Sequence, residues 1–344
     1  INGFLQQAAK DFVQALAYVE GLLKSPQNAA TLIDALGKKE TNLDAVALQA
    51  YAFLLQGKVT LGSEKILYLE RNGGHEFLPL LQGQLHLLCK DYPRAVQSFA
   101  DMVNAKPQAF FCWQKLLSGA LLAGWFEQGG QWYQQAINLN HWQDKERMAL
   151  MDKGAALLVH QYQFAETIAI CQKQLALVLN ALPDKKPQSQ QTTGNWDASK
   201  AWQTLKNILQ LLEARGFKPF PTAGTLLGWQ REGDLLPFDK DLDIAFPPED
   251  SLAEVKHVLQ MRSEYEIPSL SMNYTSMFSV VDRRTGLTID LLGFEENEQG
   301  NEFDYGWFLP GRPRTEGRLI KIPAFELQRK QWKDLSLWSP SNAD

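Results

Sequence analysis

The sequence predicts two domains of different class, an all-α helical array followed by a mixed α/β domain. Three observations carry this. From Phe4 to about Leu182, apolar residues recur at three- and four-residue spacing, as in Phe12, Ala15, Leu16, Val19, Leu22 and Leu23, which is the period of an amphipathic helix. Residues 183–196 are polar, contain prolines and have no period, as a linker does. Beyond them, short alternating runs appear, among them Asp239 to Phe246 and Gly286 to Phe294. The expected divisions are 1–182, a linker at 183–196, and 197–344.

At 344 residues the chain is long enough for two ordinary domains, and 45% hydrophobic with 21% charged residues is a globular balance. A net charge of −5 argues against a broad nucleic-acid surface. No apolar run reaches membrane-spanning length. Cys89, Cys112 and Cys171 are odd in number, and their spacing suits neither zinc nor a disulfide framework. They read as buried free thiols, which points to a reducing, cytoplasmic setting. The chain starts at Ile1 and not at Met, so the lack of a signal peptide weighs little.

The array has an internal repeat. Moving on by about 34 residues carries Ala95 to Gly129, Phe99 to Tyr133 and Pro107 to His141. With Gly83, these positions have the spacing of a tetratricopeptide repeat. A third unit, its register slipped by a few residues, is expected around Gly154, Tyr162, Phe164, Ala165 and Ile168. Small residues let two helices cross closely, and the aromatic fills the gap between neighbouring units. Residues 1–75 read as further helical hairpins. Such arrays bind peptides or dock a neighbouring domain, so a protein or peptide partner is expected on the repeats. Trp113, Trp125, Trp132, Tyr133 and Trp142 either line a groove or pack between helices, the second being the commoner use. His75, His86, His141 and His160 lack ligand-like spacing and read as surface or structural residues. Lys38, Lys39 and Glu40 form a solvated turn.

In the second domain, Asp197 is a good cap for a helix running to about Arg215, with Ala201, Trp202, Leu205, Ile208, Leu209 and Leu212 on its apolar face and Gly216 at its end. Ala223-Gly224-Thr225 reads as a small-residue turn able to offer backbone N–H groups and a hydroxyl to a phosphate. Asp239, Asp241 and Asp243 then share one face, provided the strand is already extended at Asp239, while Leu242, Ile244 and Phe246 take the other. Same-face neighbours on a strand lie about 6.5–7 Å apart, close enough for flexible carboxylates to lean onto shared divalent cations. A bare acid-x-acid is more often a solvated loop. The odds shift with Asp290, a further acid with Leu287, Ile289 and Leu291 on the opposite face of its strand. Further along, a helix is expected over Asp250–Arg262. A hairpin follows, from Met277–Asp282 through the turn Arg283–Gly286, with Asp282 a turn residue. Glu295, Glu296 and Glu298 read as a solvated loop.

A glycine turn, an acid-x-acid strand and a lone acid on a neighbouring strand form the layout of metal-dependent nucleotidyltransferases. More closely, the run from Gly224 to Phe246 resembles the signature of the LicD/fukutin family. Gly224, Thr225, Gly228, Arg231, Pro237, Asp239, Asp241 and Asp243 fall on its positions. Phe238 stands where the family usually has Trp, and Lys240 where it commonly has another acid. The resemblance spans about residues 197–340, is strongest over 224–246, and implies a late strand at Gly317–Pro323 followed by a helix at Phe325–Trp332. The fold class it implies is an N-terminal tetratricopeptide-like solenoid followed by a nucleotidyltransferase-like mixed α/β domain. It further implies that Asp241, Asp243 and Asp290 are catalytic and hold Mg²⁺ or Mn²⁺, and that Gly224, Thr225, Gly228, Arg231 and Asp239 bind substrate. The implied reaction moves a phosphocholine- or phospho-polyol-type group from a CDP-activated donor to a glycan or glycoconjugate acceptor. Arg283, Arg284, Arg312, Arg314 and Arg318 could supply a positive rim. Two other readings stay open: an enzyme of the same fold that moves a nucleotidyl group to a protein, nucleic acid or small molecule, and a helical-repeat adaptor with an inactive transferase domain.

Overall fold

The computed structural model describes residues 2–23, 26–139, 141–181, 197–237, 239–271, 276–308 and 313–341. The expected linker, Phe238 and Arg312 lie outside the described residues. The chain divides into two compact units, Ile1–Pro183 with Met261–Glu264 and Asp184–Gln260 with Tyr265–Asp344.

The first unit is helical. Its described helices are α1 (Asn2–Ala8), α2 (Phe12–Leu22), α3 (Pro26–Gly37), α4 (Leu43–Leu55), α5 (Val59–Arg71), α6 (Leu78–Leu88), α7 (Tyr92–Ala105), α8 (Phe110–Ala123), α9 (Phe126–Ile137), α10 (Asp144–Val159) and α11 (Phe164–Ala181). Side-chain caps start several of them: Asp11 accepts from the Gln14 N–H at 3.0 Å, and Asn42 from the Ala45 N–H at 2.8 Å. The helices pack as hairpins, α6 on α7, α8 on α9 and α10 on α11. The repeat works through its small and aromatic positions. Phe99 on α7 is wedged between Gly83 on α6 and Gly119 on α8, and a Cβ at Gly83 would strike its ring. One unit on, a Cβ at Gly154 on α10 would strike the ring of Tyr133 on α9. Thus the slipped third unit engages its neighbour as the tetratricopeptide pattern requires, although Tyr162 and Phe164 themselves are exposed. Of the aromatic set, Trp113, Tyr133 and Trp142 are buried. Trp113 donates to the Pro107 carbonyl at 2.8 Å and Trp142 to that of Ala136 at 2.7 Å, so both are packing residues. Trp125 is exposed. His75 is held between Asp44 and the Phe77 N–H, and His160 stacks on Phe126, as structural histidines do.

The second unit is built on a five-stranded sheet. Helix α12 (Ala198–Glu213) starts on Asp197, which accepts from the Ser199 and Lys200 N–H groups at 3.1 Å. Then come β1 (Phe220–Pro221), α13 (Ala223–Glu232), β2 (Asp241–Phe246), α14 (Leu252–Gln260), β3 (Tyr265–Glu266), β4 (Met277–Asp282) and β5 (Thr288–Gly293). The strand order is β1-β2-β5-β4-β3, with β2 and β5 parallel and the other pairs antiparallel. Alternation along the strands makes the two faces different. Leu242, Ile244, Phe278, Val280, Ile289 and Leu291 sink into one core with α12 and α14. Ala245, Met277 and Leu292 on the other face join a smaller core with Phe220, Phe294 and Phe303. Strands β6 (Glu295–Glu296), β7 (Glu302–Trp307) and β8 (Arg318–Pro323) form a second sheet. Strands β9 (Leu327–Trp332) and β10 (Leu335–Pro340) form a hairpin.

Four expectations are corrected here. The helix expected over Phe325–Trp332 is strand β9. Its Gln-Arg-Lys-Gln centre is a good local helix former, but the chain reverses at Lys333, whose φ is +50°, and pairs back from Leu335↔Trp332 to Pro340↔Leu327. Trp332 is thereby buried, stacked on Trp229 at 4.9 Å and donating to the Gly233 carbonyl at 3.1 Å. Glu295 and Glu296 are exposed as expected, yet they form a short strand. Ala223-Gly224-Thr225 is the first turn of α13 and not a free turn. Finally, only Cys112 is buried, its thiol pushed up to about 11 by desolvation, whereas Cys89 and Cys171 are exposed.

Gly154→Val should destabilise the helical unit by about 1–3 kcal/mol, because overpacking against the Tyr133 ring has no room to relax. Gly21→Ala, where an added Cβ meets nothing within 4 Å, should leave stability unchanged or raise it. Urea midpoints of the two variants check this.

Candidate active site

The acids gather on the β2–β5 face opposite α12. Strand β2 begins at Asp241, so Asp239 lies just before it and is not part of the extended segment. Its carboxylate joins the others all the same: Asp239, Asp241 and Asp243 each offer an oxygen within 4.8 Å of the other two. The parallel register then sets Asp243 level with Asp290 on β5. Ser279 on β4 is the antiparallel partner of Asp290 and donates its hydroxyl to Asp290 Oδ1 at 2.6 Å.

Helix α13 holds Asp243 from the other side. The Gly224 N–H donates to Asp243 Oδ2 at 3.0 Å, and Thr225 Oγ1 accepts from the Asp243 N–H at 2.8 Å. Thr225 is 1% exposed. Gly224 has no room for a side chain, since a Cβ there would lie 2.5 Å from Asp239 Oδ2 and 3.2 Å from Asp243 Oδ2. These two residues were expected to face phosphate; here their polar groups face Asp243. Gly228 has a packing role, because a Cβ would lie 2.7 Å from the Asp234 carbonyl oxygen and 2.9 Å from the Leu236 nitrogen. Arg231 is exposed in the last turn of α13, and Lys240 is exposed beside the cluster.

Crowding of like charges in a half-buried place sets the electrostatics. Burial, then the charges of Asp241 and Asp290, push the Asp243 carboxyl up to about 6, against the lowering pull of the Gly224 N–H. Asp239 is raised by burial and by Asp241. Asp290 is raised by burial and by Asp241, the Ser279 hydrogen bond acting the other way. An oxygen-only donor set of crowded carboxylates fits a hard divalent ion such as Mg²⁺ or Mn²⁺. The expected arginine rim is largely occupied. Arg284 pairs with Asp282, which is buried and closes the β4–β5 turn, Arg283 lies 3.2 Å from Glu266, and Arg314 pairs with Glu295.

Residues 216–342 match the family model described as LicD/FKTN/FKRP, nucleotidyltransferase domain. The second unit carries a LicD domain. The family is one of transferases, and the matched range contains every acid of the cluster. Among curated proteins, "Uncharacterized protein RP689" of Rickettsia prowazekii (strain Madrid E) is 28% identical over 161 residues, 47% of this chain and 57% of that protein. The chain therefore spans little more than half the length of that relative. A solved structure of MamA AMB-1 overlaps 52% of this chain and 97% of its own at 18% identity with a TM-score of 0.36, too low to bear on the fold. The helical-repeat assignment stands on the packing of Phe99 and Tyr133. Among the described residues, no helix is long and apolar enough to cross a membrane.

Two residues tied to the acids of the LicD domain were not anticipated. Ser279 could have been found from the hairpin register, which sets it opposite Asp290. Tyr305 on β7 feels the charges of Arg318 and Asp243, and its phenol is raised, mainly by burial. No local pattern marks it.

Because Asp243 binds its proton more tightly folded than unfolded, the stability it contributes is full below pH 3.8 and is lost as pH rises towards about 6. Metal-free Asp243→Asn should therefore melt about 2–4 °C higher than the wild type at pH 7, after discounting for solvent screening. Added Mg²⁺ should stabilise the wild type more than the variant. Thr225→Val leaves the half-buried Asp243 N–H without its partner and should cost about 1–3 kcal/mol in urea unfolding.

Proposed function

We propose that this protein transfers a phosphoryl-linked group, of phosphocholine or phospho-polyol type, from a CDP-activated donor to a glycan or glycoconjugate acceptor. The observation that carries the reading is the convergence of Asp239, Asp241 and Asp243 with Asp290, through the parallel register of β2 and β5. Asp241, Asp243 and Asp290 would hold the divalent ion. When bound, Mg²⁺ or Mn²⁺ supplies neutralisation of the donor pyrophosphate and of the charge left on the departing nucleotide.

The chain's own groups divide the remaining work. Asp243 is fixed in place by Gly224 and Thr225, so its carboxylate does not need to reorganise. Asp290 has its Oδ1 occupied by Ser279, and burial raises its proton affinity, as suits a base that takes the acceptor hydroxyl proton. Asp239 stands beside Asp241 as a further carboxylate at the substrate end of the strand. Exposed Arg231 is free to swing to a donor phosphate. The helical repeats would bring a protein or peptide partner. Free thiols at Cys89, Cys112 and Cys171 accord with a cytoplasmic setting. The complete acid set weighs against an inactive adaptor. Transfer of a nucleotidyl group would use the same acids, and it differs in leaving the acceptor labelled with nucleotide.

Incubation with CDP-choline, CDP-ribitol or CDP-glycerol and Mg²⁺ should release CMP. Asp241→Ala should abolish the release, and Asp290→Asn should lower it by about a hundredfold or more. Release retained in either variant, or nucleoside triphosphate consumption with a nucleotide-labelled acceptor, would sink the proposal.

A further inference from the structure

The acid face of the sheet has a second wall. Along β7, Phe303, Tyr305 and Trp307 alternate onto one face, and their partners on β8 are Ile322, Ile320 and Arg318. The Phe303 end of this face is sunk in the small core with Ala245 and Leu292. Those two residues lie on the same sheet face as Asp243 and Asp290, two positions further along their strands. Tyr305 comes next on β7, as Asp243 does on β2. Its ring stands edge-on to Phe294 at 5.0 Å, and the next residue is pinned by the buried Ser276 hydroxyl, which donates to the Gly306 carbonyl at 2.8 Å. The two faces thus change from apolar to polar together, and Asp243 and Arg318 both lie within electrostatic reach of the Tyr305 hydroxyl.

The chemistry of the wall is specific. Phe220, Phe294, Phe303 and Phe325 fill the neighbouring cluster with plain rings, so packing alone does not call for a phenol at 305. A neutral hydroxyl donor and an exposed guanidinium, set against carboxylates, would match an anion held beside those carboxylates when they carry a divalent ion. We propose that Tyr305 and Arg318 grip the diphosphate of the donor from across Asp243, an inference that rests on the reading of the acids given above. Tyr305 is a binding residue in this scheme, and Trp307 beside Arg318 marks the open end of the wall.

The test is calorimetric binding of inorganic pyrophosphate with Mg²⁺ to the full chain, read beside CMP release from CDP donors. Tyr305→Phe keeps the ring packing and removes only the hydroxyl, and Arg318→Gln removes an exposed charge. Each should weaken pyrophosphate binding about five- to tenfold without changing the metal-free melting temperature. Asp241→Ala should remove the binding. Variants that bind within about twofold of the wild type, or a wild type that binds no pyrophosphate, overturn the wall. If pyrophosphate binding needs Asp241, Tyr305 and Arg318 while no CDP donor is turned over, the wall stands and the donor reading falls. If CMP release needs Asp241 and is indifferent to Tyr305 and Arg318, the wall falls and the donor reading stands.

Discussion

The second unit depends on holding carboxylates together against their own repulsion. Asp239, Asp241 and Asp243 crowd within 4.8 Å, and Asp290 joins them from the next strand. Left to themselves such groups would splay apart. Three things prevent this. The opposite faces of β2 and β5 are anchored by Leu242, Ile244, Ile289 and Leu291, all fully buried. The first turn of α13 grips Asp243 through a backbone N–H and a buried threonine hydroxyl. Ser279 holds Asp290 from the far side. The apolar core thus supplies the energy that keeps an electrostatically unfavourable face in place.

The same division of labour explains the glycines of the signature. Gly224 is bare because carboxylate oxygens occupy the space a side chain would need. Gly228 is bare because the chain returning through Asp234 and Leu236 crosses over it towards β2. One glycine makes room for the acids and the other lets the loop that delivers them pass close to the helix. The helical unit uses the same device to a different end, with Gly83 and Gly154 admitting the rings of Phe99 and Tyr133.

Much of this was legible in the sequence where period and chemistry agree. The alternation around Asp241 and Asp243, the lone acid at 290, the β4–β5 hairpin and the Asp197 cap all speak through neighbouring residues. The Gly and aromatic positions of the repeats did so too. What stayed hidden depends on partners distant in the chain. Leu327–Trp332 has a helix former's composition, and only the burial of Trp332 against Trp229 and the return of β10 make it a strand. Gly224 and Thr225 advertise polar groups, and nothing local says that Asp243 takes them. Tyr305 comes within electrostatic reach of Asp243 on a strand that Ser276, just before β4, holds through the Gly306 carbonyl, a contact across a long stretch of chain. Cys89 and Cys171 looked buried because their neighbours are apolar, but each faces away from the helix packing.

The clamp on Asp243 has a consequence for the molecule's behaviour in concentrated solution. Strand β1 is two residues long and ends in a proline, so it covers β2 only at Ala245 and Ile244. The rest of that flank would offer free backbone groups to any passing strand. Instead the Asp243 N–H is capped by Thr225, and its carbonyl accepts from the Thr222 N–H at 3.1 Å. The helix that orients the acid also shields the margin of the sheet at Asp243. A site of this kind protects its own protein from edge-to-edge aggregation.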